Sequence, residues 1–256
     1  MNVFQQELAS QMTNFMNVFI SSGADYHLAF ITTDSGRFRG TGSVYWIDNT
    51  FLTPVDWAQG VITSIGISGS GIERGIQFAK EALEGDAAPG RDFWRDDATM
   101  VIIYVSDEPD FSIGGWTAYT NFFDTAKSSI DLMRHFAVIG DHPTGCGFQY
   151  NTIWRTIAFG SGYWDMTQRY NGEWYSICAT DWGSQMQDLA STVTVRSRFP
   201  LDEPDPIQSS IQVQINGQIV TSGWSYDSTT NSVVFDDDSV PEANQTITIE
   251  YGIWGC

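Results

Sequence analysis

The sequence predicts an α/β fold, a mostly parallel central sheet with helices on both faces, followed by a small antiparallel β module. Three observations carry that expectation. Phe4, Leu8, Met12, Phe15 or Met16, and Phe19 recur every three to four residues, the period of a helix with one buried face. Two extended apolar runs, Tyr26-His-Leu-Ala-Phe-Ile-Thr-Thr-Asp34 and Met100-Val-Ile-Ile-Tyr-Val-Ser-Asp-Glu108, read as buried strands between helical segments. After about Val193 the helical period stops and short alternating runs take over.

Taken in order, Met1 opens an amphipathic helix with no strand in front of it. A parallel sheet ordinarily starts with a central strand that delivers a functional loop at its C-terminal edge. The chain therefore reads α-β-β-α-β-α-β, with its opening strand expected upstream. The first visible strand ends at Thr32-Thr33-Asp34, and a short aromatic strand covers about Gly42 to Ile47. Phe51 to Ile65 is helical or irregular. The loop Gly66-Ile-Ser-Gly-Ser-Gly-Ile-Glu-Arg-Gly75 leads into a helix from Gly75 to Leu83. Asp96-Asp97 precede the strand at 99–106, and residues 26–33, 99–106 and 135–140 are expected to neighbour one another in one sheet. Gly115 to Met133 reads as a helix, Phe136 to Gly140 as a parallel strand and Asn151 to Phe159 as a helix. Trp174 to Cys178 is the last strand and Asp181 to Thr192 the closing helix, with Asp181 as its N-cap.

This places an α/β domain at residues 1–192 and a β extension at 193–256. The extension alternates over Val193–Arg198, Ser210–Ile215, Gln218–Trp224, Ser232–Phe235 and Thr246–Tyr251. Asn216-Gly217 is a hairpin signal and Asp227 to Asn231 a second turn. Pro200-Leu-Asp-Glu-Pro-Asp-Pro206 makes a stiff connection.

The charge narrows the function. A net charge of −19, from 31 acidic and 12 basic residues without a basic patch, argues against nucleic acid and anionic membrane surfaces. No stretch reaches the roughly 18 apolar residues that a membrane span needs. Acidity of this size serves solubility or, more specifically, divalent cations, which take oxygen ligands. The three cysteines show no zinc-ligand spacing. Cys146 and Cys178 sit at the ends of consecutive strands, so a bridge between them is expected in an exported protein; two buried thiols are the alternative, and Cys256 is left over. No nucleophile stands beside a base, and the histidines are scattered, so an enzyme is not expected. Trp46, Trp57, Trp116 and Trp164 fall in loop-rich stretches, where exposed aromatics would suit a protein or glycan surface.

Four segments together resemble the von Willebrand factor type A domain, a Rossmann-like fold, in its bacterial and often exported branch. They are Asp25 to Asp34, Gly69-Ser-Gly-Ile-Glu-Arg-Gly75, Arg95 to Glu108, and Ser176-Ile-Cys-Ala-Thr-Asp-Trp182. In the tail, Arg198-Phe-Pro-Leu, Ile215-Asn-Gly-Gln and Trp224-Ser-Tyr-Asp resemble that branch's β extension. The resemblance implies a cation, Mg²⁺ or Ca²⁺, at the C-terminal edge of the sheet. The family's first metal motif, Asp-x-Ser-x-Ser followed by Met, would end at Met1, so the first strand and that motif's ligands are expected upstream or in another chain. The later metal Asp corresponds to Asp107. The middle ligand, usually Thr, has no counterpart; Ser68, Ser70 and Glu73 stand there instead. Asp34, Glu108, Asp110 and His142 would line the rim. Two carboxylates without the upstream loop imply an absent or weak cation in this chain.

These readings converge on a non-enzymatic protein-binding or adhesion module, extracellular or on the cell surface, with a protein partner. The alternative is a structural subunit of a filament, surface layer or virion, built by self-assembly through strand complementation.

Overall fold

The protein is mixed α/β and carries several small sheets, one of them a three-stranded parallel sheet. The computed structural model describes residues 2–66, 69–84, 93–96, 98–194, 198–229, 231–236, 239–241 and 245–254. Met1, Ser68, Asp97 and Cys256 lie outside the described residues. The chain divides into two compact units. Met1–Met16 and Asp25–Met186 form one, Asn17–Ala24 and Gln187–Cys256 the other, so the division runs through the first and last helices.

In the first unit, helix α1 (Asn2–Ser21) buries Phe4, Met12, Phe15 and Met16, the stripe that its period requires. Strand β1 (His27–Thr32) turns at Thr33-Asp34 into β2 (Ser35–Arg39) and also pairs with β3 (Trp46–Asp48), both antiparallel. Helix α2 (Pro54–Ile65) starts with Pro in its first turn, where a missing N–H costs nothing, and buries Trp57, Ala58, Val61 and Ile62. Helix α3 (Gly75–Glu84) follows the Gly-Ser loop.

The parallel sheet is β4 (Met100–Val105), β5 (Met133–Ile139) and β8 (Trp174–Ser176), in the order β4-β5-β8. Helix α4 is short, Thr120–Thr125. Between β5 and β8 lie a hairpin of β6 (Cys146–Tyr150) and β7 (Ile153–Ile157), then helix α5 (Tyr163–Arg169). Helix α6 (Trp182–Thr194) begins under the Asp181 side chain, which accepts the Ser184 N–H at 3.0 Å as a cap. The core joins Tyr104, Phe123, Met133, Ala137, Ile139, Tyr163, Met166 and Tyr170, all nearly inaccessible.

Three expectations need correction. Residues 26–33 do not share a ladder with 99–106 and 135–140, because β1 turns back on itself and takes its partners locally. Gly115–Met133 is not one helix. It breaks into a 3-10 turn at Trp116–Tyr119, α4, and a second turn at Ile130–Leu132 nucleated by the Ser129 side chain. Asn151–Phe159 is not helical at all. Asn151 and Thr152 adopt positive φ (48° and 67°), the geometry of a tight hairpin, and Ile153 and Thr156 are β-branched.

The second unit holds two antiparallel sheets. Strands β9 (Arg198–Pro200), β12 (Trp224–Asp227) and β13 (Ser232–Phe235) form one, in the order β12-β13-β9. Strands β10 (Gln212–Ile215), β11 (Gln218–Val220) and β14 (Ile247–Glu250) form the other, in the order β11-β10-β14. Asn216-Gly217 makes the β10–β11 turn with φ of 51° and 77°. Leu201, Ile211, Val213, Val233 and Phe235 form this unit's own core.

Candidate functional site at the end of strand β4

A buried apolar strand that ends in Ser106-Asp107-Glu108 sets down polar groups where the sheet stops. Ser106 is fully buried, and its N–H still donates to Val138 in the neighbouring strand, at 3.1 Å. Asp107 and Glu108 are half-buried beyond it. The Gly-Ser loop approaches from α3 and brings in Glu73, which is 8% exposed and hydrogen-bonded to the Ser106 hydroxyl.

The Ser106 hydroxyl has one hydrogen and three partners. It lies against a Glu73 carboxyl oxygen, 2.8 Å from the Glu108 carbonyl, and 3.1 Å from the Glu108 N–H, which donates to it. A single hydrogen cannot serve both Glu73 and the Glu108 carbonyl. All contacts are satisfied when Glu73 is protonated, donates to Ser106, and leaves the hydroxyl hydrogen for Glu108. The electrostatics agree. Burial pushes the Glu73 carboxyl up to about 7, the Ser106 hydrogen bond opposes the rise, and the charges of Asp107 and Glu108 add to it.

The other loop residues are tied into scaffolding. Asp110 accepts the Ile76 N–H at 3.2 Å and the Ser112 hydroxyl at 2.9 Å, and Ser112 in turn accepts the Gln77 N–H, so two first-turn donors of α3 are capped across the chain. Burial raises the Asp110 carboxyl above its ordinary range, and these hydrogen bonds oppose the rise. The Tyr163 hydroxyl accepts the Gly75 N–H at 3.1 Å, and a Cβ at Gly75 would run into that ring. Asp34 accepts the Ser70 N–H at 3.0 Å, tying the β1–β2 turn to the loop, and the Ser70 hydroxyl accepts from the Ile72 N–H. The Phe111 N–H donates to the Glu73 carbonyl at 2.7 Å, so the 70–75 and 106–113 loops are laced together.

On this frame stand three exposed apolar side chains, Ile72 (51%), Phe111 (49%) and Ile113 (65%). The sequence reading missed them, along with Ser106 and Tyr163. Ser106 was legible, standing next to Asp107; Tyr163 leaves no local signal, since its partner at Gly75 is remote in sequence.

Of the predicted residues, Glu73, Glu108, Asp110, Ser70 and Asp34 join this lacework directly, and Asp107 follows Ser106. His142 makes ring contacts instead: it stacks on Trp164, with centroids 4.3 Å apart, and meets Phe159 edge-on. Among the described residues no three His, Cys, Asp or Glu side chains converge as they would around a metal ion. Glu73 is hydrogen-bonded to the Ser106 hydroxyl, and the Ser70 hydroxyl accepts the Ile72 N–H. His135 is fully buried against Tyr104, Phe123 and Tyr170, with its Nδ1 3.0 Å from the Tyr104 hydroxyl, and burial holds its pKa down to about 3.

Cys146 and Cys178 form a disulfide, their Cα atoms 6.1 Å apart. The tryptophans named as surface candidates pack inward. Trp57 is buried, Trp116 and Trp164 lie against the core, and Trp46 meets His27 and Phe93. The exposed ones are Trp154 (67%) and Trp254 (74%). No helix among the described residues is long and apolar enough to cross a membrane. Compared with protein-family models, curated proteins and solved structures, the chain matches none.

Proposed function

We propose that the protein is a non-enzymatic protein-binding module of the von Willebrand type A kind, displayed outside the cell. In this reading the sheet is mostly parallel and Rossmann-like, with helices on both faces and a β extension. The partner is held at the rim beyond β4. The observation that carries the reading is the exposure of Ile72, Phe111 and Ile113 on loops that also carry Asp107 and Glu108 and are laced to a buried frame. Exposed apolar groups ringed by polar ones suit partner contact. The titratable groups beneath serve the loops: Asp110 caps α3 and Glu73 bonds Ser106. Neither Mg²⁺ nor Ca²⁺ enters the reading. The test is quantitative capture by the full chain, wild type against the double variant Phe111→Ser/Ile113→Ser. A partner lost at least about tenfold at an unchanged melting temperature supports the rim, and equal capture overturns it.

A second reading, a structural subunit completed by a strand in trans, is favoured by β4. Its six residues are apolar and, among the described residues, pair with β5 alone, and only Tyr104 among them is buried. An extended segment laid on the open edge would bury the rest. This predicts that amides on that edge gain exchange protection on assembly; unchanged protection removes the reading.

A further inference from the structure

The β6–β7 hairpin is the part of the first unit most unlike its surroundings. It pairs with no other sheet among the described residues, and β7 is exposed from Ile153 to Thr156. Its tip shows Tyr150 (40%), Ile153 (53%) and Trp154 (67%) to solvent. Cys146 and Phe148 fix its base, the first through the disulfide to Cys178 and the second through a ring contact with Phe4 at 4.8 Å. Trp154 is held in place as well. A Cβ at Gly147 would overlap its indole, so the absence of a side chain there lets the ring lie across the hairpin. Large aromatic surface already ordered before contact loses little freedom on binding.

The hairpin is also free of negative charge. From Cys146 to Ile157 the chain has no Asp or Glu and has one Arg, Arg155, in a protein of net charge −19. Two such molecules repel over most of their surfaces. A carboxylate-free, cationic, aromatic tip can approach a second copy without that repulsion. What it would meet there is complementary: the exposed Ile72, Phe111 and Ile113, on laced loops that also carry Asp107 and Glu108.

We propose that the hairpin tip of one molecule docks on this apolar, acid-edged patch of a second copy of the chain, Tyr150 and Ile153 covering the apolar group, Arg155 on the same face meeting Asp107 and Glu108, and Trp154 closing over the patch from the hairpin's other face. The proposal rests on the reading of that patch as the partner site, and it names the partner. The two surfaces differ, so the contact is heterologous, and each bound copy still offers a free hairpin and a free patch. Such contacts grow into rings or open filaments rather than stopping at a dimer.

The experiment is sedimentation velocity of the full chain over a range of concentrations, with two variants. One alters the hairpin, Ile153→Ser/Trp154→Ser; the other alters the patch, Phe111→Ser/Ile113→Ser. All four side chains are exposed, and near-ultraviolet circular dichroism with the mass of the oxidised chain checks that each variant folds. The wild type is expected to grow beyond a dimer. Each variant alone is expected to associate at least about 30-fold more weakly, as for loss of an interface hot spot. An equimolar mixture of the two should give a heterodimer that grows no further, because each keeps one intact half. A wild type that stays monomeric while the patch variant loses a captured foreign partner overturns the second-copy proposal and leaves the rim reading standing. Association that the hairpin variant loses but the patch variant keeps overturns the second-copy proposal, while equal capture of a foreign partner by the patch variant overturns the rim reading. A wild type that stops at a dimer, with no dimer in the mixture, means a self-complementary contact and also overturns the proposal.

Discussion

Strands β4 and β5 run side by side in parallel, register Met100 to Met133 through Val105 to Val138, and both are mainly apolar, yet their environments differ. β5 has a ladder on each edge, with β4 and β8, and all but Arg134 of its residues are buried. Among the described residues β4 has a ladder on one edge, and five of its six residues stay half-exposed. Composition would rank Met-Val-Ile-Ile-Tyr-Val as the more deeply buried strand. What decides burial is the number of neighbours that a strand's position supplies, and an apolar strand short of one neighbour is a surface still to be covered.

The sharpest way to test that contrast is to truncate one side chain on each strand. Phe136 on β5 is fully buried, and Phe136→Ala should cost about 3–5 kcal/mol. Ile103, its register partner on β4, is half-exposed, and Ile103→Ala should cost about 1–2 kcal/mol, since less area leaves water. Urea denaturation gives both values, and equal losses would break the contrast.

The closed side of the sheet also carries the covalent tie. Cys178 follows β8 and Cys146 follows β5, and their bridge spans 32 residues of sequence. Cys146→Ser/Cys178→Ser should lose about 3 kcal/mol by releasing that constraint on the unfolded chain. The change is read as a lower melting temperature, and reductant should then have no further effect on the variant.

At the open side, the end of β4 responds to pH. Glu73 ordinarily titrates at 4.5 and here at about 7, so the folded chain holds the proton more tightly than the unfolded one. Its contribution is complete below pH 4.5 and is lost as pH rises through 7, a span of up to about 3 kcal/mol. Glu73→Gln keeps a donor for Ser106 and should flatten the stability profile over that window. A profile for Glu73→Gln as steep as that of the wild type would assign the proton elsewhere.

The smallest effect is the most local. The Ser106 N–H bonds to β5, so by strand alternation the N–H groups of Val101, Ile103 and Val105 face the open edge. Hydrogen exchange should be faster at these three than at Ile102 and Tyr104. Uniform protection along β4 would mean that its outer edge is already paired.

How much of this the sequence showed depends on how local each cause is. The helices at α1 and α6 and the turns at Asp181 and Asn216-Gly217 were legible because period and capping act within a few residues. The Cys146–Cys178 pairing was legible from strand order. The hairpin was read as a helix because Ile153, Trp154 and Ile157 satisfy a helical spacing as well as a strand one, and the positive φ at Asn151 and Thr152 decides between them. The site was half visible. Glu73, Asp107 and Asp110 announce themselves as carboxylates in loops, but nothing local shows that burial raises the Glu73 carboxyl or that Asp110 caps α3. The Glu73–Ser106 bond and the Asp110 cap on Ile76 each join residues more than 30 positions apart.

The position of the disulfide has one more consequence. The hairpin tip at Asn151-Thr152 is exposed and lies between the two bridged cysteines. A protease that cuts there leaves both products joined through sulfur, so the nicked chain migrates as a single species until reductant separates it. The same property makes the tip a graft point: a foreign peptide spliced between Asn151 and Thr152 would be carried on a stalk whose two ends are already fastened, one by the sheet and one by the bond between Cys146 and Cys178.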